Sequence, residues 1–91
     1  MVEIEFAKAF RRHVECPGAS VEAASVGDAL DAYFQRFPSV RSYVVDDAGS
    51  VRRHVAVFLN DYLIVDRATL TDPVADGDRL QVFQALSGGC T

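Results

Sequence analysis

One amphipathic helix among strand-like segments limits the fold of this 91-residue chain more than any other feature. Ser25 immediately precedes the helix, and Asp28 stands three residues after Ser25. The serine hydroxyl can therefore accept a hydrogen bond from a backbone N–H of the first helical turn. Pro38 ends the helix, because a proline pushes the residue before it out of helical geometry. Apolar side chains recur between these limits at i, i+3, i+4, i+7, i+8 and i+11, which places them on one helix face. They are Val26, Ala29, Leu30, Tyr33, Phe34 and Phe37.

The rest of the chain has the pattern of short strands joined by turns. Val2, Ile4 and Phe6 alternate with two glutamates, which predicts a strand with one buried face. We further predict an edge strand over residues 19–24, a hairpin that pairs residues 43–45 with 55–59, a short strand over 62–65 and a last strand over 79–86. The nearly continuous apolar run 55–59 indicates a strand covered on both faces, or one that faces the core on one side and a partner on the other. Residues 66–78 are rich in turn residues and are expected to form a loop.

A single helix can cover only one face of one sheet. We therefore predict an α+β fold in which a mixed sheet of about five strands carries one main helix across one face, with the first and last strands adjacent in the middle. This arrangement is the β-grasp, or ubiquitin-like, fold. Residues 1–86 are expected to form the domain, and residues 87–91 a flexible C-terminal tail.

Composition excludes several classes of protein. With 49% hydrophobic and 24% charged residues, the chain has an ordinary globular composition. It contains no apolar stretch near the roughly 20 residues that cross a bilayer, and its first residues do not resemble a signal peptide. Two cysteines cannot build a disulfide framework, and a net charge of −4 disfavours general nucleic-acid binding. We expect a cytoplasmic protein with neither a membrane nor a nucleic acid as partner.

The tail carries the clearest functional signal, because Gly88 and Gly89 are followed by only Cys90 and Thr91. Glycine has no side chain, so this dipeptide can enter a channel that is too narrow for other residues. The alternative is an ordinary frayed terminus. The sequence has neither a phosphate-binding loop nor a closely spaced His or Cys ligand set, which predicts a non-enzymatic protein with no metal and no cofactor.

In this order of segments, the chain resembles the MoaD/ThiS family of small sulfur carriers. The resemblance rests on the alternating first strand, the helix start at 25–30, and the segments 54–60, 76–78 and 85–89. It implies that an adenylating enzyme of the ubiquitin-activating type uses ATP to activate the carboxylate of Gly89, which then becomes a thiocarboxylate. The sulfur passes to a biosynthetic enzyme, and Gly88 and Ser87 are implied to be recognised as part of the tail.

Cys90 and Thr91 depart from the usual family ending at the second glycine. They resemble the extension of a smaller group of carriers, which a zinc metalloprotease of the JAMM class trims between Gly89 and Cys90. That group implies delivery of sulfur to cysteine or methionine synthesis, or to a siderophore or other secondary metabolite. The alternatives are a molybdopterin synthase small subunit, a ubiquitin-like protein modifier joined to lysines, and a β-grasp interaction module. Cys90 could also form a thioester by an N-to-S acyl shift, although the activating residues for that reaction are absent.

Strand parity predicts a partner-binding surface. Phe83 has the parity opposite to Leu80 and Val82, so it is expected on the sheet face away from the helix, where a large apolar side chain suits an interface. Leu86 and Phe58 are candidates for the same surface.

The remaining chemically notable residues have ordinary structural interpretations beside functional ones. Cys16 precedes Pro17 and is expected to be a turn residue or a small hydrophobe. Two basic clusters, one at 11–13 with His13 and one at 52–54 with His54, could meet an acidic groove on a partner, but they also fit solvated faces.

Overall fold

The computed structural model describes residues 1–12 and 14–84. Its strands are β1 (Val2–Phe6), β2 (Ala19–Val21), β3 (Val55–Leu59), β4 (Tyr62–Leu63) and β5 (Arg79–Gln84), and its helices are α1 (Lys8–Arg11), α2 (Val26–Arg36) and α3 (Pro38–Val44). These strands form one five-stranded sheet in the order β2-β1-β5-β3-β4. β1 and β5 are parallel and every other pair is antiparallel. This is the predicted β-grasp fold, with the first and last strands adjacent in the middle.

Helix α2 covers one face of the sheet, as its apolar stripe predicts. The Ser25 hydroxyl accepts a hydrogen bond of 3.1 Å from the Asp28 backbone N–H, so the predicted cap is present. The stripe packs on the inward side chains of β1, β3 and β5, and Tyr33 is fully buried while its hydroxyl donates to the carbonyl of Pro17 at 2.7 Å. Burial of an apolar stripe on a sheet, rather than helix propensity, supplies most of the stability of such a helix.

The predicted hairpin between residues 43–45 and 55–59 is wrong. Residues 43 and 44 belong to α3, which Pro38 begins at its first position, where a missing N–H and a fixed φ suit a helix. Val40 and Val44 lie one helical turn apart and are both buried, so the short apolar run is helical rather than extended. β3 pairs instead with β5 on one side and β4 on the other, and Val45 keeps only an isolated bridge to Val51.

The other predicted strands are present, but two of them are shorter than predicted. The edge strand ends at Val21, and the strand after the 60–61 turn comprises only Tyr62 and Leu63. The last strand is described as far as Gln84, and residues 85 and 86 lie outside the described residues. The short helix α1 was not predicted, and it places Phe10 in the core against Phe6.

Two aspartates order the predicted loop at 66–78. Asp66 accepts hydrogen bonds from the hydroxyls of Thr69 and Thr71 and from backbone N–H groups of residues 68, 69 and 71. The bonds from Thr69, followed by those from Thr71, hold the pKa of Asp66 well below its usual range. Asp72 accepts from the N–H groups of residues 65 and 66, both at 2.8 Å. The loop in turn anchors α2, because the Leu70 carbonyl accepts from the Gly27 N–H at 2.9 Å.

Candidate partner-binding face and the end of the last strand

β5 carries the chain out of the centre of the sheet, between β1 and β3. Its last described residue, Gln84, is paired with Val55 of β3, while Val82 is paired with Phe6 of β1. Both neighbours hydrogen-bond this strand, so its direction is set from two sides. The described part of β5 therefore ends in the middle of one end of the sheet.

Gly89, the residue predicted to carry the sulfur, and its neighbours lie outside the described residues. This applies to Leu86 and to Ser87, Gly88, Gly89 and Cys90, which carry the predictions on adenylation, tail recognition and cleavage. Those roles stay predictions. What the structure describes is the sheet surface from which that segment starts.

The sheet face away from α2 carries an apolar patch near this end, which we call the outward patch and define as Ala56, Phe58, Leu63 and Phe83. Phe83 is 38% exposed and lies on this face, as its parity predicts. Its ring meets that of Phe58 edge to face, with centroids 5.4 Å apart and an interplanar angle of 89°. Such a pair holds both rings in place while leaving their outer edges accessible.

Sequence reasoning found two members of the outward patch and missed the others. Ala56 lies opposite Phe83, and Leu63 lies opposite Phe58 and is 57% exposed. The two-residue turn of Asn60 and Asp61 sets that register, and both residues have a positive φ, as a tight hairpin turn requires. Counting back from this turn would have placed Leu63 beside Phe58.

Cys16 is a core residue. It is 2% exposed, and burial raises the pKa of its thiol. A buried thiol with a raised pKa is a poor nucleophile. The structure thus supports the prediction of a small hydrophobe at this position.

The two predicted basic clusters lie on either side of β5. Arg11 and Arg12 are at the end of α1 and are exposed, and so are Arg53 and His54 before β3. His13 lies outside the described residues. Arg52 is only half exposed because its Nε donates to the Ser42 carbonyl at 2.6 Å.

The described residues contain no group of three or more His, Cys, Asp or Glu side chains arranged to hold a metal ion. Within the same part of the chain, no helix is long and apolar enough to cross a membrane.

Comparison with known proteins agrees with this architecture. The sequence profile of the ThiS family matches residues 8–89. The chain belongs to the ThiS family. It is thus a ubiquitin-like small protein of the sulfur-carrier and modifier type, whose members are generally not enzymes themselves.

Two further comparisons place this ThiS-family chain among its relatives. It is 39% identical over 66 residues to small archaeal modifier protein 1 of Haloferax volcanii. The aligned residues cover 72% of this chain and 71% of that protein. The crystal structure of that modifier superimposes with a TM-score of 0.79 at 30% identity, covering 97% of this chain and 98% of the other. CysO in the BexX/CysO complex of Amycolatopsis orientalis shares the fold, with a TM-score of 0.81 at 23% identity over 98% of this chain and 100% of the matched chain.

Proposed function

We propose that this protein is a sulfur carrier whose Gly89 bears the sulfur as a C-terminal thiocarboxylate after Cys90 and Thr91 have been removed. One observation carries the proposal. The ThiS-family match extends over most of the chain and ends at Gly89, and Cys90 and Thr91 follow it. The described part of the chain supports a presenting role, because its last residues belong to the central strand β5, which pairs with both β1 and β3.

The chemistry requires a free carboxylate at Gly89. Hydrolysis of the Gly89–Cys90 peptide bond by a zinc metalloprotease of the JAMM class consumes one water and leaves that carboxylate, with Cys90 and Thr91 as a free dipeptide. The carboxylate then attacks the α-phosphate of ATP on an adenylating enzyme of the ubiquitin-activating type, and pyrophosphate leaves. Hydrosulfide displaces AMP from the acyl adenylate and yields the thiocarboxylate, which a biosynthetic enzyme takes up as its sulfur donor.

The outward patch is the proposed docking surface for these enzymes. It combines the Phe58–Phe83 ring pair with the exposed Leu63, and it reaches the end of β5 through Phe83. Apolar side chains at the centre of a patch are the usual energetic core of an interface. Two structures with this fold support such docking, the BexX/CysO complex of Amycolatopsis orientalis and the complex of subunits 1 and 2 of the molybdopterin-converting factor of Helicobacter pylori.

Two chains that differ only at the end test the carrier proposal. A chain ending at Gly89 and the full chain ending at Thr91 are each incubated with the cognate adenylating enzyme, ATP and hydrosulfide. We expect intact mass to show replacement of one oxygen by sulfur only in the shorter chain. Gly89→Ala in the shorter chain is expected to reduce the modification, since it adds a methyl group where the backbone approaches the enzyme most closely.

Processing is tested separately with the cognate JAMM protease. We expect the full chain to lose Cys90 and Thr91 as a unit, because only a cut at the Gly89–Cys90 bond leaves a chain that ends with both glycines. A cut at any other bond would contradict the trimming step. Equal modification of both chains in the first assay would contradict the need for trimming.

Protein modification is a second candidate, because the 39% identical relative is a modifier protein. In that case the activated Gly89 would be attacked by a lysine amine and an isopeptide bond would form. Incubating the shorter chain with ATP, its activating enzyme and cell extract separates the two functions. Conjugates that carry the Gly89 carbonyl on lysine would favour the modifier, and a thiocarboxylate that is consumed by small-molecule biosynthesis would favour the carrier.

A further inference from the structure

The two exposed basic clusters flank the end of β5 from opposite sides. The Ala7 N–H donates to the Val82 carbonyl at 2.9 Å, so α1 starts beside β5 and leads directly to Arg11 and Arg12. On the other side Val55 pairs with Gln84, and Arg53 comes two residues earlier. Neighbouring strands are about 5 Å apart, so the strands that lead into the two clusters are about 10 Å apart with β5 between them.

Three arginines in these clusters are available to a partner. Arg11, Arg12 and Arg53 are exposed. The salt bridge found within residues 1–12 and 14–84 does not involve them, because it joins the Met1 amino group to Asp76. Arg52 differs, because its side chain bonds the Ser42 carbonyl and its own carbonyl accepts from Arg67 at 2.7 Å. It serves the local fold, whereas the other three carry charge without a structural duty in the described part of the chain.

Charge is distributed unevenly along the strands. The opposite end of the sheet carries Asp61, Asp76 and Asp78 around the starts of β1 and β5, where the Glu3 N–H donates to the Asp78 carbonyl. Acidic side chains also lie on this side of the molecule. Glu15 lines the same groove as Arg11 and Arg12, Glu5 lines a groove with Phe83, and Asp46 and Asp47 lie in the turn before Val51. Six arginines are exposed among the described residues: Arg11, Arg12 and Arg53 lie around the end of β5, whereas Arg36 and Arg41 lie on α2 and α3 and Arg79 starts β5 at the opposite end.

We propose that Arg11, Arg12 and Arg53 form a positive rim that docks on an acidic border around the tail-binding channel of the adenylating enzyme. This inference rests on the proposed function and deepens it. The outward patch reaches the same end of β5 through Phe83, so the surface has an apolar centre and a charged border, the usual anatomy of a protein interface. A protein partner is favoured over a nucleic acid by this apolar centre and by the negative net charge of the chain.

The physical effect of the rim is on association. Exposed ion pairs add little to the stability of a complex, but complementary charges raise the rate at which partners meet in the correct orientation. Screening at 0.15 M salt acts over about 8 Å, so both clusters contribute at low ionic strength and lose their effect as salt rises.

The test compares two double variants of equal charge in the chain that ends at Gly89. Arg11→Gln with Arg53→Gln removes charge from the rim, whereas Arg36→Gln with Arg79→Gln removes the same charge from elsewhere. Stopped-flow association with the cognate adenylating enzyme is measured from about 0.02 to 0.5 M salt. We expect the rim variant to associate roughly tenfold more slowly at the lowest salt, with the difference disappearing at the highest, and the control variant to change less than twofold.

Each outcome decides the inference. Equal effects of the two double variants would show that only net charge matters and would overturn the rim. Unchanged association of the rim variant, with adenylation of Gly89 intact, would overturn the rim and leave the carrier function standing. If the unaltered chain neither binds nor is adenylated, the proposed function fails and the rim fails with it. Salt-dependent binding of the unaltered chain to single-stranded RNA, lost in the rim variant while enzyme association is unchanged, would assign these arginines to nucleic acid instead.

Discussion

Replacing Phe83 by alanine should separate binding from folding. The side chain is 38% exposed, and a phenylalanine presents roughly 200 Å² in total, so about 75 Å² remains for a partner to cover. At about 25 cal/mol per Å² this area corresponds to about 2 kcal/mol. Interfaces realise only part of such a value, so we expect Phe83→Ala to weaken binding to the adenylating enzyme by about 1–2 kcal/mol, or roughly 5- to 30-fold in Kd.

The same variant should cost some stability, because its ring packs edge to face on Phe58. Loss of such a pair costs about 0.5–1.5 kcal/mol. Ile4→Val is the matched control, since Ile4 is fully buried and the loss of one methyl group costs about 1 kcal/mol. Leu30→Ala gives the upper limit, about 2–5 kcal/mol, because Leu30 is 1% exposed and its truncation leaves a cavity.

Thermal unfolding followed by circular dichroism and isothermal titration with the adenylating enzyme measure the two effects. We expect Ile4→Val to match Phe83→Ala in Tm and to bind like the unaltered chain. If Phe83→Ala binds as tightly as Ile4→Val, the outward patch is not the docking surface. If it lowers Tm as much as Leu30→Ala, the ring contributes to the core and the assignment of faces is incorrect.

Three further variants test the described fold by thermal unfolding. Ser25→Ala removes the hydroxyl that caps α2 and should cost about 1 kcal/mol, whereas Ser25→Asp should cost little, and equal losses would contradict the cap. Gly27→Ala should lower Tm although alanine favours helices, because its Cβ would lie 3.2 Å from the Leu70 carbonyl oxygen and 3.3 Å from the Leu70 Cβ, and a rise in Tm would show that the loop yields. Asp66→Asn should lower Tm at pH 7. Because folding lowers the pKa of Asp66 from 3.8, the ionised carboxylate stabilises the fold above about pH 4. The difference in Tm between the variant and the unaltered chain should therefore shrink as the pH falls below that value, and a constant difference would contradict the role of the charge.

Much of the fold follows from patterns of side chains within single segments. The stripe of α2, its cap at Ser25 and the alternation in β1 are local signals, because burial of one face requires a fixed spacing along the chain. Strand parity likewise places Phe83 on the outward face. The predicted β-grasp arrangement then follows from the need of one helix to cover one sheet. The roles predicted for Gly89 and its neighbours rest on the sequence and the family resemblance, since they lie outside the described residues.

The tertiary structure alone decided which segments meet. Residues 43 and 44 are apolar and have a local preference for extended structure, yet they form the end of α3. The reason is that β3 pairs with β4 and β5 instead, and that Val44 is buried in the core. The positions of Arg11 and Arg53 on opposite sides of β5 depend on the same pairings. Pairing joins residues that are far apart in the chain, and its free energy comes from burying side chains of both partners together. A pattern within one segment therefore shows that a face is buried, but not against which segment it packs.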